Sequence, residues 1–267
     1  MAEAPGRVLV VAGSDSGGGA GIQADIKTIT ALGGYAATAI TAITVQNTLG
    51  VHRVHALPVD FIDAQARAVL EDIGADAIKI GMLGGGAVAA MVARLLADYP
   101  DIPVVLDPVM IAKGGESLLD GEGADALRRD LIPRATLLTP NAPEAAILTG
   151  LAVEHIDDLR RAGDALLRAG AAAVLMKGGH VAGETVVDLL LTPKSETRFE
   201  SPRVAGRHTH GTGCTLASAC AAGLAQGMAL AAAVARAHAY TAEAIRRAPG
   251  FGAGHGPLDH AWTVRDR

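Results

Sequence analysis

The chain has 267 residues, half of them hydrophobic and 19% charged, with a formal net charge of −5. This mildly acidic balance, with no Lys/Arg run, excludes the basic footprint of a nucleic-acid-binding protein. Aromatics are only 3%, so the core must be built from Ala, Val, Leu and Ile, small side chains that suit close packing of helices on a sheet.

Short apolar runs alternate with amphipathic stretches along the chain. The first run, Val8–Ala12, ends at Gly13-Ser14-Asp15 and leads through a glycine-rich turn into a helix carrying Asp25. Ala39–Val45 ends at Gln46-Asn47. After it Val59, Ile62, Ala66, Val69, Leu70 and Ile73 form a helical stripe. Ala77–Ile80 ends at Gly81-Met82, Val104–Leu106 at Asp107, and Thr136–Leu138 just before Asn141. Leu159, Ala162, Leu166 and Leu167 mark another helix, and Ala173–Met176 ends at Lys177. Val186–Leu191 and Thr197–Ser201, joined by Thr192-Pro193-Lys194-Ser195, read as an antiparallel edge hairpin. An Ala-rich helix is expected from Leu216 to Ala235.

Near-continuous apolar strands alternating with helices predict an α/β fold, a mostly parallel sheet covered on both faces. No linker or repeat divides the chain, so one domain is expected over 1–267. In such a sheet the C-terminal strand ends share one edge, where ligands bind. Gly13, Gln46, Met82, Asp107, Asn141 and Lys177 therefore converge there.

Several familiar sites are excluded. There is no Walker A loop, no H-E-x-x-H and no G-x-S-x-G. The permissive dinucleotide pattern Gly19-x-Gly21-x-x-Ala24 lacks the acid required about 20 residues on. Two cysteines, Cys214 and Cys220, give no disulfide framework and suit a reducing cytoplasm, and Met1 to Arg7 shows no export signal. Residues His208 to Ala235 lack charge, but their His, Thr, Ser and Gln content and Ala richness favour a buried helix over a membrane span.

The most informative segment is Thr209-His210-Gly211-Thr212-Gly213-Cys214-Thr215, at the start of the Ala-rich helix. First-turn N–H groups have no intrahelical partner and carry partial positive charge. Gly211 and Gly213 remove side chains that would keep an anion away, so the segment suits a phosphate or developing oxyanion; a glycine turn capped by Thr212 is the plain alternative. Cys214 is either a base, its pKa lowered by the helix start, or a small buried hydrophobe. Asp107 could orient Mg²⁺ through water or serve as a turn residue. Asn141 and Glu144 have capping-box spacing. Lys177 needs an anionic partner, ATP phosphate or a nearby carboxylate. The Gln46 amide can donate to and accept from an aminopyrimidine, or satisfy loop backbone. Asp25 could complement a helix dipole. His180 and His210 read as hydrogen-bonded loop residues.

These segments resemble, in order, the ribokinase-like hydroxymethylpyrimidine/phosphomethylpyrimidine kinases. The matching segments are Ala12 to Asp25, Thr44 to Thr48, Lys79 to Leu83, Leu106 to Met110, Thr139 to Ala145, Met176 to His180, His210 to Thr215 and Gly256 to His260. The resemblance implies ATP- and Mg²⁺-dependent phosphorylation of a hydroxymethylpyrimidine and then of its monophosphate. It implies Gln46 as the ring contact, with Gly13, Asp25, Met82 and Val109 shaping the pocket. Asn141, Lys177 and Thr209 would lie on the nucleotide side. Asp107 and Glu144 would hold the metal through water, and Gly211, Thr212, Gly213 and Cys214 would form the catalytic segment. Lys113-Gly114-Gly115-Glu116 resembles a lid. A cytoplasmic homodimer without nucleic-acid or membrane partners is expected. Pyridoxal kinase is the alternative; some relatives with that activity carry a cysteine where this chain has Ala112. A catalytically silent vitamin-binding protein would lack the anion or metal side, and both are present.

Overall fold

The computed structural model describes residues 5–110 and 121–265. The expected lid at 113–116, with Ala112, lies outside them. In chain order the main elements begin with β1 (Arg7–Ser14), α1 (Gly21–Ala31), β2 (Tyr35–Asn47), β3 (Gly50–Ala56), α2 (Val59–Asp72) and β4 (Ala77–Ile80). Next come α3 (Gly86–Asp98), β5 (Val104–Leu106), α4 (Gly121–Ala126), β6 (Leu137–Leu138), α5 (Ala142–Thr149) and α6 (Ile156–Arg168). The chain continues through β7 (Val174–Met176), β8 (Thr185–Thr192), β9 (Ser195–Pro202), α7 (Thr212–Ala225), α8 (Leu230–Arg246) and α9 (Trp262–Arg265).

Among the described residues these strands form one sheet in the order β3-β2-β1-β4-β5-β6-β7-β8-β9. Pairing is parallel from β2 to β7, and the expected β8–β9 hairpin closes one edge. Alternation along β1 sends Leu9 and Val11 into a core covered by α2, α3 and α6, and Val8, Val10 and Ala12 into a second core under α1, α7 and α8.

Two features depart from the sequence reading. β2 runs on past its parallel pairing with β1, and its last residues pair antiparallel with β3 from Ala42↔Ala56 to Asn47↔Gly50. This second hairpin projects from the other edge and carries Gln46. The expected Leu216–Ala235 helix is two helices, α7 and α8, separated by a turn in which Gly227 has φ +76°. No charged residue marks that break, and the only local signal was the glycine.

Candidate active site

At the C-terminal ends of the parallel strands lies a cavity of about 490 Å³, within the range of small-molecule sites. Its lining includes Gln46, Met82, Val109, Asp107, Asn141, Glu144, Lys177 and the segment Thr209–Cys214. Gly13 also lines it. Met82, Asp107, Asn141 and Lys177 each follow a parallel strand to this edge, Gly13 lies near the end of β1, and Gln46 reaches it on the β2–β3 hairpin.

The closing segment is built so that it can cradle an anion. Gly211 caps α7 with φ +83°, and a Cβ there would sit 1.8 Å from the Gly19 carbonyl oxygen, so only glycine fits. Thr215 is the first residue of α7 whose N–H reaches the Gly211 carbonyl, at 2.9 Å. The N–H groups of Gly213 and Cys214 are thus left to the cavity. Thr212 does not cap the helix with its side chain; its hydroxyl donates to the Thr209 carbonyl at 2.8 Å and stiffens the turn. A Cβ on Gly213 would lie 3.1 Å from Lys177 Nζ and 3.5 Å from Asp107 Oδ2, so this glycine keeps the charged groups open to the helix start.

Opposite the cradle, Lys177 Nζ donates to Asp107 Oδ1 at 2.8 Å and lies 3.6 Å from Glu144 Oε2. Burial works against the lysine's charge, but the two carboxylates outweigh it and hold its pKa above the ordinary value. Thr139 donates to the same Asp107 oxygen at 3.0 Å. Asn141 and Glu144 form a complete capping box at the start of α5, with Glu144 N donating to Asn141 Oδ1 at 2.9 Å and Asn141 N to Glu144 Oε2 at 2.8 Å. Burial pushes the Glu144 carboxyl up to about 7; Lys177 pulls it down, and Asp107 adds to the rise. Two carboxylates of hard oxygen beside an anion cradle fit a Mg²⁺ ion, which takes few protein ligands and keeps its waters.

Two expectations are corrected, the placement of Asp25 and the direction of the Cys214 pKa. Asp25 does not line the cavity: it is fully buried, accepting hydrogen bonds from Lys79 Nζ at 3.0 Å and Ser218 Oγ at 2.6 Å. Helix α1 turns this side toward α7, so the carboxylate anchors the wall behind the pocket. Cys214 lies at the cavity, but burial pushes its thiol up to about 11, against the pull of the nearby Lys79 charge. Loss of water outweighs the helix-start field that was expected to lower it.

Lys79 itself was missed. It sits within the run Ala77–Ile80, and pairing of β4 with Val10 and Val105 turns it toward α7. A lysine inside a strand of a doubly covered sheet was the available signal. Asp15 and His210 were also undervalued. Asp15 Oδ2 lies 2.9 Å from His210 Nε2, which stands 3.2 Å from the side-chain Nε2 of Gln46. Thr44 Oγ1 is 3.2 Å from Gln46 Oε1.

A mainly parallel nine-stranded sheet with a phosphate-type cradle and a lysine–carboxylate cluster at its carboxyl edge is the architecture of ribokinase-like kinases. Solved structures agree: the chain superposes on a Bacillus subtilis pyridoxal kinase, described as an ADP complex, with TM-score 0.92, 35% identity and coverage of 99% and 100% of the two chains. A Clostridium difficile phosphomethylpyrimidine kinase matches with TM-score 0.80 and 43% identity, over 90% of this chain and 99% of that one.

The family model for phosphomethylpyrimidine kinase matches residues 15–259, and the chain belongs to that family. A hydroxymethylpyrimidine/phosphomethylpyrimidine kinase of Streptomyces coelicolor is 49% identical, with 97% of this chain and 96% of the relative covered. The thiamine biosynthesis bifunctional protein ThiED of Geobacter sulfurreducens is also 49% identical over 98% of this chain, which spans about half (54%) of that longer relative.

Proposed function

We propose that this chain uses ATP to phosphorylate the hydroxymethyl group of 4-amino-5-hydroxymethyl-2-methylpyrimidine, and then phosphorylates the monophosphate to the diphosphate. The observation that carries this reading is a single cavity lined both by an amide, Gln46, and by the Lys177, Asp107 and Glu144 cluster beside the start of α7.

In this reading the Gln46 amide accepts from the ring amino group and donates to the adjacent ring nitrogen, with Met82 and Val109 against the ring and Gly13 leaving room beside it. Lys177, Asn141 and Thr209 hold the phosphate chain of the donor. The N–H groups of Gly213 and Cys214 stabilise charge on the transferring phosphoryl group. Cys214 Sγ takes the proton of the attacking hydroxyl. With a pKa near 11 its thiolate is a minor form at neutral pH, but positioning and charge neutralisation dominate this chemistry. Asp107 and Glu144 would hold Mg²⁺ through water, and that ion would neutralise donor phosphate charge.

Ile43, Val45 and Val54 are about half exposed on the β2–β3 hairpin, an apolar surface that supports a homodimer. Two free thiols, Cys214 and Cys220, fit a cytoplasmic compartment. No helix among the described residues is long and apolar enough to cross a membrane.

The test is a substrate panel of the hydroxymethylpyrimidine, its monophosphate and pyridoxal, with ATP and products identified by mass. Turnover of both pyrimidines well above pyridoxal is expected; pyridoxal phosphate as the dominant product would replace this reading with the pyridoxal kinase one.

A further inference from the structure

Gln46 has polar neighbours that constrain which end of its amide points where. Asp15 is 3% exposed and accepts from the backbone N–H groups of Gly17, Gly19 and Ala20 at 2.8, 3.0 and 2.8 Å. Burial alone would raise its carboxyl, yet His210 and these N–H donors outweigh burial and hold it below the usual range. Asp15 is therefore a carboxylate with no proton to give, so His210 Nε2, 2.9 Å away, must be the donor between them. A ring nitrogen that spends its proton on Asp15 has no lone pair for Gln46. An amide nitrogen facing it at 3.2 Å sets two donors against each other.

The other end of the amide gives the same answer independently. The Thr44 hydroxyl donates to the Ser14 carbonyl at 2.9 Å. Its one proton is then spent, and the Gln46 end 3.2 Å away has to be a donor. A half-turn of the amide about its last bond, an exchange of O and N that only the partners decide, satisfies both neighbours. The nitrogen then donates to Thr44 Oγ1, and the oxygen shares the one His210 Nε2 proton with Asp15 in a three-centre bond.

We infer that His210, held by Asp15, is a specificity-determining positioning residue that locks the Gln46 amide in one orientation, so the pocket presents acceptor and donor in a fixed order. This rests on the reading of Gln46 as the ring contact. One lone pair and one N–H of the amide remain for substrate. A fixed order pairs with only one ring-edge pattern, and the proposed substrate presents an exocyclic amino group beside an unprotonated ring nitrogen. The 4-oxo analogue, with a carbonyl and a ring N–H, has the reverse pattern, and a site committed to one pattern leaves buried groups unpaired against the other. A free amide would turn to suit either ring.

The experiment compares kcat/KM for the 4-amino and 4-oxo hydroxymethylpyrimidines in wild type, His210→Leu, His210→Gln and Gln46→Leu. The ratio cancels any effect on phosphoryl transfer that His210 exerts through its neighbour Gly211. In His210→Leu the amino-to-oxo ratio should fall about tenfold or more, chiefly because the oxo substrate improves. His210→Gln, which can return an N–H to the position of Nε2, should keep most of the ratio. An unchanged ratio in His210→Leu overturns the lock. If Gln46→Leu also leaves the ratio intact, the ring-contact reading fails with it; if Gln46→Leu abolishes the ratio, only the lock fails. A measurement independent of folding in the variants is the ¹⁵N spectrum of the wild-type imidazole near neutral pH. A proton on Nε2 is expected, and an Nε2 without one refutes the proposal.

Discussion

Two lysines of this molecule sit among carboxylates along the same sheet, and they differ in how far they are sealed from the cavity. Lys79 pairs with Asp25 with both side chains at 0% exposure, sealed between β4, α1 and α7. Lys177 pairs with Asp107 and Glu144 at 11% exposure, on the cavity wall. The first pair has spent its hydrogen bonds on Ser218 and on itself, so Lys79 backs the cavity wall with no exposed surface of its own. The second keeps its charge beside an anion cradle. A buried ion pair thus marks either a wall or a workplace, and what separates them is whether solvent reaches the cation.

The comparison breaks first at Lys79. Lys79→Met should cost about 3–5 kcal/mol of folding stability by leaving Asp25 charged or protonated without its partner, and a Lys79→Met/Asp25→Leu double variant should regain much of it. Denaturant midpoints measure both; a single variant as stable as wild type would show that the sealed pair is not structural. Cys214 stands near both cations and is the next largest effect. Cys214→Ser should lose about 10²–10⁴-fold in single-turnover rate. Because the thiol sits near 11, the wild-type rate should climb about tenfold per pH unit through the alkaline range as thiolate accumulates, and the serine variant should lack that slope. A flat wild-type profile with a silent serine variant removes the proton-acceptor role.

Lys177→Met should lose about 10²–10³-fold in turnover with little change in the denaturant midpoint, the inverse of the Lys79 result. Equal turnover with normal ATP affinity would collapse the distinction between the pairs. The smallest effect is the pH response of Glu144. Its folded pKa of about 7 lies above the ordinary 4.5 because burial disfavours the charge. Between those values the folded state holds a proton the unfolded chain has released, so stability falls as pH rises through the window. Glu144→Gln should flatten that segment of the stability profile. Affinity for Mg·ATP should rise toward neutral pH in wild type and lose that dependence in the variant.

Much of this was readable in the chain. Apolar runs located the strand ends, and strand ends located Gln46, Asp107, Asn141 and Lys177, because parallel pairing collects carboxyl ends on one edge. The Asn141–Glu144 box follows from spacing alone. Asp25 was misplaced because its role depends on which helix packs over it, a contact with Ser218 at a separation of 193 residues. The Asp15–His210 contact spans 195 residues, and neither residue has a local pattern that announces the other. Lys79 was hidden inside an apolar run, where only the β4 register shows which face it meets.

The projecting β2–β3 hairpin carries a consequence of its own. Gln46 rides on an arm paired to the rest of the sheet through β2 alone, whereas Lys177 and Asp107 follow strands paired on both sides. On the proposed roles, ring reading rides on the hairpin and phosphate handling on the central strands, with the Gln46–His210 contact joining the two. On the proposed roles, changes along the arm that spare the Gln46–His210 contact would leave the strands behind Lys177 and Asp107 as they are, a way for this fold to change diet without relearning its chemistry.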